Sequence, residues 1–143
     1  MKPIEKELDY LVQQFCENRR CQICGIHKAE AIHHIIGRAN KVLRYDFINL
    51  LPVCNACHRK IHDKGLDVSK YVSPTRWQYL QQVKNKSYRD LLIFEYGMTE
   101  DEFLKSSKAQ LIEIGEKLTS SPTQRGKYGK ETDTETKKIC RGV

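Results

Sequence analysis

Two cysteine knuckles restrict this chain more than any other feature. Cys21-x2-Cys24 and Cys54-x2-Cys57 are separated by residues 25–53, 29 in all, which is enough chain for the two to meet in space. Brought together, they offer four thiolates at the spacing a tetrahedral structural zinc ion uses. Such a site would supply folding free energy that a small centre with few large apolar side chains lacks. Two disulfides or a CxxC redox pair are the rival readings. Against them stands the start of the chain, Met1-Lys2-Pro3-Ile4-Glu5-Lys6-Glu7, which has early acidic residues and no apolar run of the secretory kind. A cytoplasmic, reducing compartment is therefore expected, where structural disulfides are rare.

The 143 residues suit one domain with an appendage. With 30% charged residues and a mean hydropathy of −0.63, no run approaches the roughly 18 apolar residues of a membrane span, so no membrane partner is expected. The formal charge of +7 suits an anionic partner, nucleic acid ahead of a lipid surface.

The chain divides into an N-terminal amphipathic helix (1–20), a Cys/His-rich centre (21–70), a helical extension (71–118) and a disordered basic tail (119–143). Ile4, Leu8, Leu11, Val12, Phe15 and Cys16 share one helical face opposite Glu5, Lys6, Asp9 and Gln13. Cys16 reads as a small buried hydrophobe. In the centre, Glu30-Ala31-Ile32 and Asn49–Val53 are strand-like, and a helix beginning near Asn55 carries Ala56, Cys57, His58 and His62. Ser73-Pro74 caps a helix with Trp77, Leu80 and Val83. Ser87 caps another with Leu91, Leu92 and Phe94, stopped by Gly97. Thr99 and Glu102 form a capping box ahead of Phe103 and Leu104, and Leu111, Ile112 and Ile114 continue the pattern. Trp77, Tyr79 and Tyr88 read as core residues rather than nucleic-acid contacts at this spacing. The tail carries Arg125, Lys127, Lys130, Lys137, Lys138 and Arg141, which would add weak attraction to a polyanion.

A second polar set lies between and just after the knuckles: His33, His34, Asn49, His58 and His62. His58 and His62, four apart on one helix, project from the same face and can grip a metal. His33 and His34 are adjacent, so in an extended segment one ring faces the metal and the other a different point near it. His27, in the turn after the first knuckle, reads as a surface residue.

Together Cys21-x2-Cys24, His33-His34-Ile35 and Asn49-Leu50-x-Pro52-x-Cys54-x2-Cys57-His58-x3-His62 resemble the zinc-stapled HNH endonucleases, the His-Me finger or ββα-metal family, over roughly residues 21–62. The stretch from Gly37-Arg38 through Leu43-Arg44-Tyr45-Asp46 is similar to that of HNH proteins of phage recombination. The resemblance implies an α+β fold, a small zinc-stapled ββα-metal core with flanking helices. It implies DNA as substrate, 5′-phosphate and 3′-hydroxyl ends, and a bacterial or phage-infected cell as the setting. It makes His34 the general base and His33 and His58 ligands of a catalytic divalent metal. His62 is a further ligand in the His-rich branch of the family, and Asn49 the residue that orients the His34 loop. The four cysteines would hold structural zinc and take no part in cleavage.

Three imidazoles favour Mn2+, Co2+ or Ni2+ over the oxygen-seeking Mg2+, so activity with those ions should at least equal that with Mg2+. Arg38, Lys41 and Arg44, in the loop after the His pair, are placed to meet phosphates. One ββα unit attacks one strand, so a double-strand break implies a homodimer or two successive nicks. The alternatives are a junction-specific recombination nuclease acting with a partner protein, and a zinc-dependent DNA-binding accessory protein that does not cut.

Overall fold

The computed structural model describes residues 1–119, and the basic tail expected beyond them lies outside the described residues. Helix α1 (Pro3–Gln14) starts with proline at its first position, where the missing N–H costs nothing. It ends before Phe15 and Cys16, which remain buried in the turn that follows, while Asn18 takes the left-handed conformation (φ 58°) that reverses the chain. An isolated bridge between Arg20 and Lys28 closes the first knuckle into a small hairpin, in which Cys21 N–H donates to His27 O.

Strands β1 (Ala31–His34) and β2 (Leu50–Val53) form a two-stranded antiparallel sheet, with His33 opposite Leu51 and His34 opposite Leu50. Pro52 sits in β2, and its carbonyl accepts from Gln22 N–H, so the first knuckle is laced to the strand. Helix α2 (Asn55–Lys64) follows directly, capped at its start by Cys54 Sγ accepting from Cys57 N–H and closed by Gly65 in the left-handed conformation (φ 65°). The strands and α2 pack around the four cysteines together with Ile23, Leu51, Val53 and Val68. The ββα unit is thus built on the metal-binding cysteines rather than on large side chains. It confirms the expected α+β class and the ββα-metal core.

Helix α3 (Pro74–Val83) begins at Ser73, whose Oγ accepts from Arg76 N–H, as the Ser-Pro pair predicts. Its Leu80 and Val83 pack on Val42 and Leu43 of the loop after β1. Arg76 ties α3 to the sheet by donating to Ile48 O and Leu50 O, both at 2.6 Å. A short helix α4 (Tyr88–Asp90) runs into a π-helical turn, Leu91–Tyr96, ended by Gly97 at φ 61°. The wider π turn departs from 3.6-residue spacing. Leu91 and Leu92 are buried, but Phe94, read from the sequence as their companion, is 79% exposed. Helix α5 (Glu100–Thr119) opens with the expected capping box, in which Thr99 and Glu102 bond reciprocally. Its Leu104 and Leu111 pack with Leu8, Val12, Tyr45 and Leu50. The two terminal helices therefore share one core, and α1 lies between α5 and β1. Among the described residues no helix is long and apolar enough to cross a membrane.

Candidate functional site

Two groups of metal-binding side chains form among the described residues. Cys21, Cys24, Cys54 and Cys57 are all buried, and their sulfurs lie within 4.8 Å of one another. The bond to Cys24 raises the Cys21 thiol to about 11, bonds to Cys21 and then Cys24 push Cys57 further up, and bonds from Cys21 and Cys57 hold Cys24 well below the usual thiol range. Thiols so crowded cannot all ionise unless a cation sits among them, and a divalent ion deprotonates coordinated thiols outright. Four soft sulfur donors in a closed, buried set fit zinc.

The second group is His33, His58 and His62, again with ligand nitrogens within 4.8 Å of one another. β1 supplies His33, and the i, i+4 spacing on α2 supplies the other two. His62 Nε2 lies 3.1 Å from His58 Nε2, a contact in which at least one ring must offer a lone pair. Burial, followed by the neighbouring imidazoles His58, His62 and His34, lowers His33 to about 4, and burial also lowers His58. Both rings are therefore neutral near pH 7, the state in which imidazole binds metal. His33 Nδ1 is buried with no hydrogen-bond partner in the described structure. A nitrogen stranded in this way is costly to bury, and a cation shared by three imidazoles suits the donor set.

His34 points to a different neighbourhood. Its Nε2 is 3.1 Å from Arg44 O. Since a carbonyl only accepts, Nε2 carries the proton, and neutral His34 keeps Nδ1 as its basic nitrogen. Burial, then the positive charge of Arg38, lowers its pKa, which the bond to Arg44 O partly offsets. His33, His34, His58 and His62 nevertheless line one open cleft of about 470 Å³, together with Asp9, Val12, Gln13, Ile32, Gly37 and Arg38. A metal-binding cluster and a separate neutral base thus face the same space.

Asn49 holds this geometry from behind. Fully buried, it accepts from Ile36 N–H through Oδ1 at 2.7 Å and donates through Nδ2 to Ile36 O at 2.9 Å and Leu43 O at 3.1 Å, while its own carbonyl accepts from Ile35 N–H. It therefore grips the chain immediately after His34 and immediately before Arg44. Replacing Asn49 with alanine strands these buried groups and should cost roughly 2 kcal/mol or more of stability, measured as a fall in the urea midpoint at constant m. An unchanged midpoint would contradict this role.

The three basic residues expected at phosphates are placed differently from one another. Arg38 lines the cleft with its side chain 59% exposed. Lys41 reaches over the Tyr88 ring, its Nζ 6.0 Å from the centroid. Arg44 turns inward, 17% exposed, donating to both Asp9 oxygens at 3.1 and 3.3 Å and stacking over Tyr45. His27 is exposed and Cys16 is buried, in line with their readings. Tyr88 is half-buried against Phe103, but Tyr79 is exposed and donates to Asp46 Oδ2 at 2.7 Å. Asp9 is the charged cleft residue that the sequence pattern does not reveal, since periodicity places it only on the polar face of α1.

Two short antiparallel strands and the helix after them, with imidazoles converging at their junction, define a ββα-metal fold. Residues 21–64 match the family model described as HNH endonuclease, so this central segment is an HNH domain, and its clustered cysteines suit the zinc-stapled form. No curated protein and no solved structure matches the chain.

Proposed function

We propose that the protein is a metal-dependent endonuclease that hydrolyses DNA phosphodiester bonds, nicking one strand or breaking both through two copies or two successive nicks. One observation carries the reading. On an HNH domain, a neutral His34 with Nδ1 free lines the same cleft as three imidazoles suited to one divalent ion. In this reading His33, His58 and His62 hold that ion. Bound there, a divalent cation would neutralise charge that develops on the phosphate and its leaving oxygen. His34 removes the proton of the attacking water through Nδ1, while Nε2–H stays on Arg44 O and keeps the ring in one tautomer. Asn49 holds the two chain segments that bring His34 to that carbonyl. Arg38, the exposed guanidinium of the cleft, meets a substrate phosphate. The four cysteines bind zinc and serve the fold alone.

The test is cleavage of end-labelled duplex, single-stranded and junction DNA with Mn2+, Co2+, Ni2+ or Mg2+, beside a chelated control. Metal-dependent cleavage leaving 5′-phosphate and 3′-hydroxyl ends is expected, with the transition metals at least as effective as Mg2+. Activity with Mg2+ alone would contradict the three-imidazole site. Strong preference for junctions by a dimer would turn the reading towards a resolvase. The pH dependence follows from burial of the rings. His33, His34 and His58 all lose their protons more readily than an ordinary imidazole, so the competent neutral forms persist below pH 6.5 and are lost only as pH falls further. The acid limb of the rate profile should have its midpoint under 6.5, and a midpoint above 6.5 would contradict this environment.

A further inference from the structure

We propose that Asp9, on α1 and outside the HNH segment, is a positioning residue for the general base, acting through Arg44; the proposal rests on the nuclease reading. The relay is continuous. Asp9 Oδ1 and Oδ2 accept from one guanidinium nitrogen of Arg44 at 3.3 and 3.1 Å, and the Arg44 carbonyl accepts from His34 Nε2 at 3.1 Å. On the other side of the same segment, Leu43 O is held by Asn49. The Arg44 backbone is thus held through its neighbour Leu43 on the sheet side and its side chain by Asp9 on the helix side, which together position the carbonyl that meets His34.

Charge and burial make the clamp firm. Arg44 is 17% exposed and its Nε is buried without a hydrogen-bond partner in the described structure, so its charge depends on Asp9. Removing one partner of a half-buried pair leaves the other uncompensated. Asp9 also faces Arg38, but at 3.6 Å and with Arg38 59% exposed, a screened contact that a phosphate can displace. The two arginines therefore divide the work: Asp9 commits Arg44 to the base and leaves Arg38 for the substrate. Anchored to α5 through the Leu8, Leu104 and Leu111 core, α1 becomes part of the catalytic machinery rather than an appendage.

The test uses the full chain loaded with zinc. Asp9→Asn should lower kcat about tenfold with KM little changed, and Asp9→Glu should restore most of the loss. Arg38→Gln should instead raise KM with kcat little changed. Asp9→Asn combined with Arg44→Gln should be no slower than the slower single variant, because both break one relay. Multiplying effects, or an unchanged kcat in Asp9→Asn, would overturn the proposal. Nitrogen-15 NMR of the His34 ring supplies a readout independent of cleavage. Wild type should show the Nε2–H tautomer and Asp9→Asn a tautomer mixture. A mixture already in wild type, or a fixed Nε2–H form in Asp9→Asn, sinks the relay. Failure of wild type to cleave, with the tautomer behaving as stated, sinks the nuclease reading alone.

Discussion

Stripping zinc from the protein, or replacing Cys57 with serine, is expected to unfold the central domain. Around the four cysteines the ββα unit buries four aliphatic side chains, Ile23, Leu51, Val53 and Val68, and the hydrophobics that pack against them, Ile35, Ile61 and Leu66 among them, are only partly buried. Zinc bound by four thiolates contributes on the order of 10 kcal/mol in comparably small folds, as much as the whole net stability of a typical domain. Without it, four thiols that crowd within 4.8 Å lose the charge that holds them together. Circular dichroism should show the helical signal falling and the melting transition broadening or disappearing on chelation. A thiol reagent should then titrate at least four more cysteines than in the zinc-loaded protein, the four of the cluster and, as the fold opens, buried Cys16. A Cys57→Ser variant that melts at the wild-type temperature would refute the structural zinc.

Replacing His34 with alanine should slow cleavage by about 10²–10⁴-fold while leaving the fold and the zinc in place. His34 is half-buried, and its hydrogen bond runs to Arg44 O, a carbonyl on a segment that Asn49 also grips through Leu43 O. Loss of the ring therefore removes the basic nitrogen without removing the clamp. It also leaves the His33, His58 and His62 cluster intact, so metal binding should be retained. A variant that binds metal and DNA as wild type does yet cleaves slowly assigns the base. One that cleaves at the wild-type rate assigns that role elsewhere.

Much of the site was legible because its determinants are short-range. Each CxxC pair is a single turn, His58 and His62 lie one helical turn apart, and the alternation of an extended segment sends His33 to the metal cluster and His34 to the Arg44 carbonyl. Asn49 was readable only through family likeness, since nothing local marks it as the residue that bonds Ile36 and Leu43. Asp9 was invisible for a different reason. Periodicity shows which face of α1 is polar but not what that face meets, and the ion pair with Arg44 joins residues 35 apart. The inward turn of Arg44 was hidden in the same way, because a basic loop looks alike whether its arginines face solvent or a carboxylate. Phe94 lies outside the buried face that its spacing predicts because a π turn breaks the helical period, and no cap or proline announces that turn. The packing of α5 on α1 depends on which apolar faces meet, and amphipathic helices of similar length carry no address.

The proposed activity is metal-dependent DNA hydrolysis from the cleft shared by His34 and the three-histidine cluster. Its most direct test is conversion of supercoiled plasmid to nicked and linear forms by the zinc-loaded protein, with Mn2+, Ni2+ or Mg2+ added and with none. Nicking that requires the added metal, and that His34→Ala loses with its zinc retained, is expected. Folded wild-type protein that binds the plasmid and leaves it supercoiled under every ion would contradict it.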